Sequence, residues 1–149
     1  MGYASSSKIA QVIDNKALGN KKIDVLRDII VGLENSGASL VERTATIGYG
    51  LHYSNDSGNQ KALLMVAACV ESNELLEKGK SLALAASNEN LRKARLCFSD
   101  MNTPELPEND IRCIMLSALL YVADNHHGDE HAINREQSTV LRAVELNLS

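Results

Sequence analysis

The chain has 149 residues, about one domain's worth and enough to bury a real core. Its formal net charge is −4 and its pI about 5.5, so the general basic footprint of a nucleic-acid binder is missing. Aromatic residues make up only 3 %, with no Trp and Phe98 as the single Phe. The core must therefore come from Leu, Ile, Val, Ala and Met, which suits packed helices better than a sheet.

Residues 1–6 are Ser-rich and read as a disordered N-terminus, with one helical domain over 7–149. Met1 to Ser6 formally fits the N-myristoylation pattern. No polybasic stretch or nearby cysteine supplies a second anchoring signal, so a plain disordered start is the preferred reading. Ser7 is placed to cap a first helix running to about Leu18, with Ile9, Val12, Ile13 and Ala17 on one face. Gly19-Asn20 stops it.

A second helix spans Lys22 to Asn35, striped by Ile23, Leu26, Ile30 and Leu33 and widened by Val25 and Ile29. Asn35-Ser36-Gly37 ends it. A third, Ala38 to Tyr53, has a weaker stripe of Leu40, Thr44, Ile47 and Leu51. Gly48 and Gly50 there mark either a close helix crossing or fraying before the loop at 54–58. Asn59 caps a fourth helix, apolar from Ala62 to Val70, which reads as central to a bundle. The pattern bends near Ser72-Asn73 and resumes through Leu75, Leu76, Leu82 and Ala86, weakened at Gly79. Ser87-Asn88 then caps a helix from Glu89 to Met101, with Leu91, Ala94, Phe98 and Met101 inward.

Residues 102–109 hold the only prolines, Pro104 and Pro107, and Thr103-Pro104-Glu105 and Leu106-Pro107-Glu108 both resemble helix starts. Ile111 to Val122 is apolar nearly all round and is the expected core helix. The last helix carries Ile133, Val140, Leu141, Val144 and Leu148 on one stripe. No strand-like alternation competes, so the expectation is an all-α bundle of about seven helices.

The longest apolar run, Ala62 to Val70, is far short of the ~20 residues of a membrane span. The N-terminus lacks the long apolar core of a secretory signal. Cys69, Cys97 and Cys113 match no zinc or redox spacing and read as buried free thiols of a cytoplasmic protein. Lys21–Lys22 and the group Arg92, Lys93, Arg95 read as solvated helix faces, because no aromatic is interleaved with them. His52, between Tyr49 and Tyr53 on a helix, reads as a surface or partly buried side chain rather than a general base. Serines lie in no nucleophile elbow, and no phosphate-binding glycine loop is present.

The densest chemistry lies between the last two helices. Asp124, His126, His127, Asp129 and His131 fall within eight residues, and imidazoles with carboxylates are the donors that Zn, Ni or Cu take. No known ligand framework matches: there is no His-Glu-x-x-His helix, and Gly128 and Glu136 are at the wrong offsets for a calcium loop. The alternative is a solvated loop whose acids favour the start of the following helix.

Ala123-Asp124, Ile133-x-x-Glu136, Leu141 and Val144 together are similar to TerB-like helical domains, in which an apolar helix is followed by an Ala-Asp-Gly turn and by Ile and Glu opening the next helix. Here Asn125 replaces the glycine and the turn is several residues longer. The similarity covers the last fifth of the chain and assigns no family. It implies a metal-binding or stress-response domain using the 124–136 loop.

The leading expectation is a different one. A small acidic helical chain without catalytic motifs fits a non-enzymatic protein that binds a protein partner, of the immunity or antitoxin, adaptor or chaperone type. It needs no cofactor beyond the divalent metal of the alternative reading. Its acidic surface favours a basic partner, and neither nucleic acid nor membrane is expected.

Overall fold

The computed structural model describes residues 2–55 and 72–149, with side chains described from Ser6 onward. The described residues are 84 % helical and contain seven α-helices and no strand, so the architecture is all-α as expected. The chain gathers into two compact units, Met1–Cys69 and Val70–Ser149. The helix expected from Asn59 through Val70, with Cys69, lies outside the described residues.

Unit 1 contains α1 (Gly2–Asp14), α2 (Lys22–Asn35) and α3 (Leu40–Tyr53). Helix α1 begins at Gly2 rather than at a Ser7 cap after a disordered start. Ser6 is buried, and its hydroxyl donates to the Thr46 carbonyl of α3 at 3.0 Å. The helix also ends earlier than its apolar pattern suggests. Asn15 opens a tight 3-10 turn, accepting from the Ala17 N–H at 3.0 Å, and this leaves Ala17 exposed.

Helix α1 lies directly across α3, and Gly50 is the reason. A Cβ at Gly50 would stand 2.6 Å from Ile9 Cγ2 and 3.1 Å from the Ser6 carbonyl oxygen. Ile9 and Ile47 are fully buried beside this crossing. The buried residues of α3 are Arg43, Thr44, Thr46, Ile47, Gly48 and Gly50; of the expected stripe Thr44 and Ile47 are buried, while Leu40 and Leu51 are half-buried. Arg43 is accommodated by donating from Nη1 to the Ala38 carbonyl at 2.7 Å.

Helix α2 has the bounds read from the sequence, but it meets α1 and α3 less intimately. Only Leu26, Ile30 and Lys22 are buried. Lys22 is thus no solvated residue: its ammonium donates to the Ile13 carbonyl at 2.7 Å and joins the start of α2 to the end of α1. At the same corner Asp14 accepts from the Ser54 hydroxyl and, at 2.9 Å, from the Asn55 N–H.

Unit 2 contains α4 (Asn73–Ala85), α5 (Leu91–Met101), α6 (Glu108–Asn125) and α7 (Glu130–Leu148). Helix α6 is the core helix, as its pattern indicated, with Cys113 through Leu119 buried without interruption. It is flanked by α4 and α7, and α5 packs on α7. Its acids Glu108 and Asp110 occupy the first turn, where the helix dipole favours them. The Thr103-Pro104-Glu105 stretch starts no helix and remains irregular.

Gly79 does not weaken α4; it lets α4 press against α6. A Cβ there would run into Ser117 Cβ and would stand 2.8 Å from the Ile114 carbonyl oxygen. Asn88 and Glu89 both have φ near +58°, so the expected cap at 87–88 becomes a 3-10 turn and Asn90 caps α5, accepting from the Lys93 N–H at 3.0 Å. Gln137 of α7, 2 % exposed, donates to the Leu119 carbonyl at 3.2 Å. Asn147 donates to the Arg95 carbonyl at 3.1 Å and ties the end of α7 to α5. Leu148, expected inward, is exposed because it is the last helical residue.

The Gly79 crossing generates a prediction. Gly79→Ala gains up to about 1 kcal/mol of helix propensity but drives a methyl into α6 backbone, so it lowers unfolding free energy by a net ~1–3 kcal/mol. Ser117→Ala removes a buried hydroxyl without a hydrogen-bond partner and leaves stability unchanged or higher by about 1 kcal/mol. Urea denaturation followed by circular dichroism measures both. Equal stability of Gly79→Ala and the parent would show that α4 and α6 do not cross this closely.

Candidate functional site

The acid- and histidine-rich loop between α6 and α7 is built as a helix-to-helix connection. The His126 N–H donates to the Val122 carbonyl at 3.2 Å and closes α6. Its ring turns back across the loop, with Nε2 2.5 Å from Oε2 of Glu136 on α7. Glu136 is buried at 7 % exposure, so this pairing settles a carboxylate that would otherwise lose its hydration. Asp129 caps α7: its Oδ1 accepts from the Ala132 N–H at 3.2 Å. Asp124, His127 and His131 are exposed.

Thus the five residues singled out as metal ligands are placed around the loop and are not brought to one point. Among the described residues no group of three or more His, Cys, Asp or Glu side chains is arranged to hold a metal ion. The partner that sequence spacing did not attach to His126 is Glu136. It lies one helical turn past Ile133 on the inward face of α7, which is the signal that could have found it.

Cys113 is buried. Burial, reinforced by the nearby Asp100 carboxylate and only partly offset by Lys93, raises the Cys97 pKa above the ordinary thiol value. That favours the protonated thiol over the nucleophilic thiolate. The His52 and Tyr53 rings meet at a 52° tilt with centroids 4.8 Å apart, and His52 is half-buried, as read. Arg92, Lys93 and Arg95 are exposed, also as read.

A concave surface lies in unit 1, between α2 and α3. It is an open groove of about 1180 Å³, larger than a typical small-molecule pocket of roughly 300–1,000 Å³. One wall is Val25, Ile29 and Leu33, a ridge at four-residue spacing on α2. The other is Ala45 and Tyr49 on α3. These five side chains are half-buried. Gly32 lies in the α2 wall with nothing within 4 Å of where its Cβ would stand. Gly37 and Ala38 close one end.

The groove rim is charged. Asp28 on α2 and Glu42 on α3 border it on its two sides, and Lys8 reaches it from α1. All three are exposed, and none of their charged groups is in an ion pair. The sequence hint for this wall was the excess width of the α2 stripe: Val25 and Ile29 are apolar beyond what Leu26 and Ile30 need to reach the core.

Comparison with known proteins finds no matching family model, and no curated protein or solved structure that matches the chain.

Asp129→Ala removes the α7 cap and lowers stability by about 0.5–2 kcal/mol. Zn and Ni titrated calorimetrically into chelator-stripped protein bind no tighter than ~100 μM, about 5 kcal/mol, against roughly 10–16 kcal/mol for a structural zinc site. Micromolar binding that disappears when His126, His127 and His131 are all changed to Ala would overturn this account of the loop.

Proposed function

We propose that this protein acts by binding another protein, without catalysing a reaction, and that the α2–α3 groove of unit 1 receives the partner. The observation that carries the reading is the groove itself: an exposed apolar trough with charged, unpaired side chains along its edges. Apolar centres with polar rims are the usual anatomy of protein–protein contacts.

The class is that of small helical proteins that mask or adapt a partner, such as immunity proteins or antitoxins, adaptors and chaperones. The reading places the protein in the cytoplasm, where the buried Cys113 and half-buried Cys97 stay reduced. No helix among the described residues is long and apolar enough to cross a membrane. The metal-binding alternative, at the 124–136 loop, has no gathered donor set in its favour.

Gly32 supplies the test. Its Cβ position is open, so Gly32→Leu projects a side chain into the groove while improving helix propensity by up to about 1 kcal/mol. The parent chain is expected to capture a stoichiometric protein partner from native lysate, and Gly32→Leu, with an unchanged or higher melting temperature, to lose it. Retention of the same partner by the filled variant would remove the groove from the reading.

A further inference from the structure

Resting on that reading, we infer that the occupant of the α2–α3 groove is a basic amphipathic helix of about three turns.

The backbone argument comes first. Both walls are helices, whose N–H and C=O groups are satisfied within their own turns. The groove therefore offers no strand edge to which an extended peptide could hydrogen-bond. A segment entering it must satisfy its own backbone, because unpaired buried amides are costly, and a helix does so. Size agrees. From Val25 to Ser36 the α2 wall rises about 16 Å at 1.5 Å per residue, which matches roughly eleven residues of a partner helix. The small residues Gly32 and Ala45 let its axis come close.

Charge selects the sign. The facing rims carry Asp28 and Glu42, both exposed and outside any ion pair. A helix lying in the trough turns its flanks toward these two carboxylates, so basic flanks are favoured and acidic ones repelled. Lys8 adds one opposite charge on the α1 side, suited to an acid on the partner. The same carboxylates disfavour nucleic-acid phosphates and anionic lipid headgroups. The complementarity is local: unit 1 holds seven Lys or Arg and six Asp or Glu, whereas unit 2 holds eight and thirteen. Net charge alone would have pointed to unit 2; the rim points to this groove.

The test uses the full chain and two labelled synthetic 14-residue peptides. Both carry Leu every three or four residues along one face; one has Lys on the flanks and the other Glu. In low salt the Lys peptide is expected to bind about tenfold or more tightly than the Glu peptide, the scale of two exposed ion pairs. It should gain helical circular dichroism on binding, and raised salt should erode the preference. Asp28→Lys with Glu42→Lys, both surface changes, should reverse the preference, and Gly32→Leu should abolish binding of both peptides. Equal affinity for the two peptides, a preference that survives the charge reversal, binding without gain of helix, or no binding at all would each overturn the inference. The broader protein-binding reading is judged separately, by whether Gly32→Leu loses the captured lysate partner.

Discussion

The arrangement of unit 1 depends on how closely two helices can approach at one glycine. With only hydrogen at Gly50, the backbone of α3 comes within reach of Ile9 and Ser6, and α1 seats itself across α3. That contact takes up the inward face of α3. On α2 the buried apolar residues are Leu26 and Ile30, and its start is anchored by the Lys22–Ile13 hydrogen bond. Its remaining apolar ridge, Val25, Ile29 and Leu33, is then held apart from α3, and the gap between them is the groove.

Unit 2 uses the same device to a different end. Gly79 brings α4 onto Ser117 and Ile114 of α6, and the long apolar α6 is enclosed by its neighbours. Two of the polar groups drawn into this unit meet a partner, Gln137 the Leu119 carbonyl and Glu136 His126, whereas the Ser117 hydroxyl meets none. The Glu136–His126 pair explains the histidine-rich loop in structural terms. His126 faces a buried carboxylate, and Asp129 satisfies an amide at the start of α7. His126 and Asp129 are thus each engaged locally, and no group of three or more donors among the described residues could hold a metal ion.

Much of the fold was legible in the residues. Apolar spacing located α2 to the residue, placed α6 at the core of its unit and found Ala94 and Phe98 on the inward side of α5. What spacing misjudged were ends and exceptions. The 3-10 turn after Asp14 exposed Ala17, left-handed backbone at Asn88 and Glu89 delayed α5 to Asn90, and Lys22 was buried because a carbonyl stood within reach of its ammonium. In each case a local hydrogen bond or backbone conformation outweighed periodicity, and periodicity carries no information about either.

The sequence by itself determined that the chain is helical, where most helices run and which of their faces are apolar, because those properties follow from the 3.6-residue repeat and from composition. Only the tertiary structure decided which apolar faces are covered. Whether Val25, Ile29 and Leu33 are core or surface depends on how far α2 stands from α3, which the spacing of apolar residues along α2 does not specify. Likewise, three histidines clustered in the chain need not cluster in space. Side chains project outward from a turn in different directions, and convergence is a property of the folded backbone, not of sequence distance.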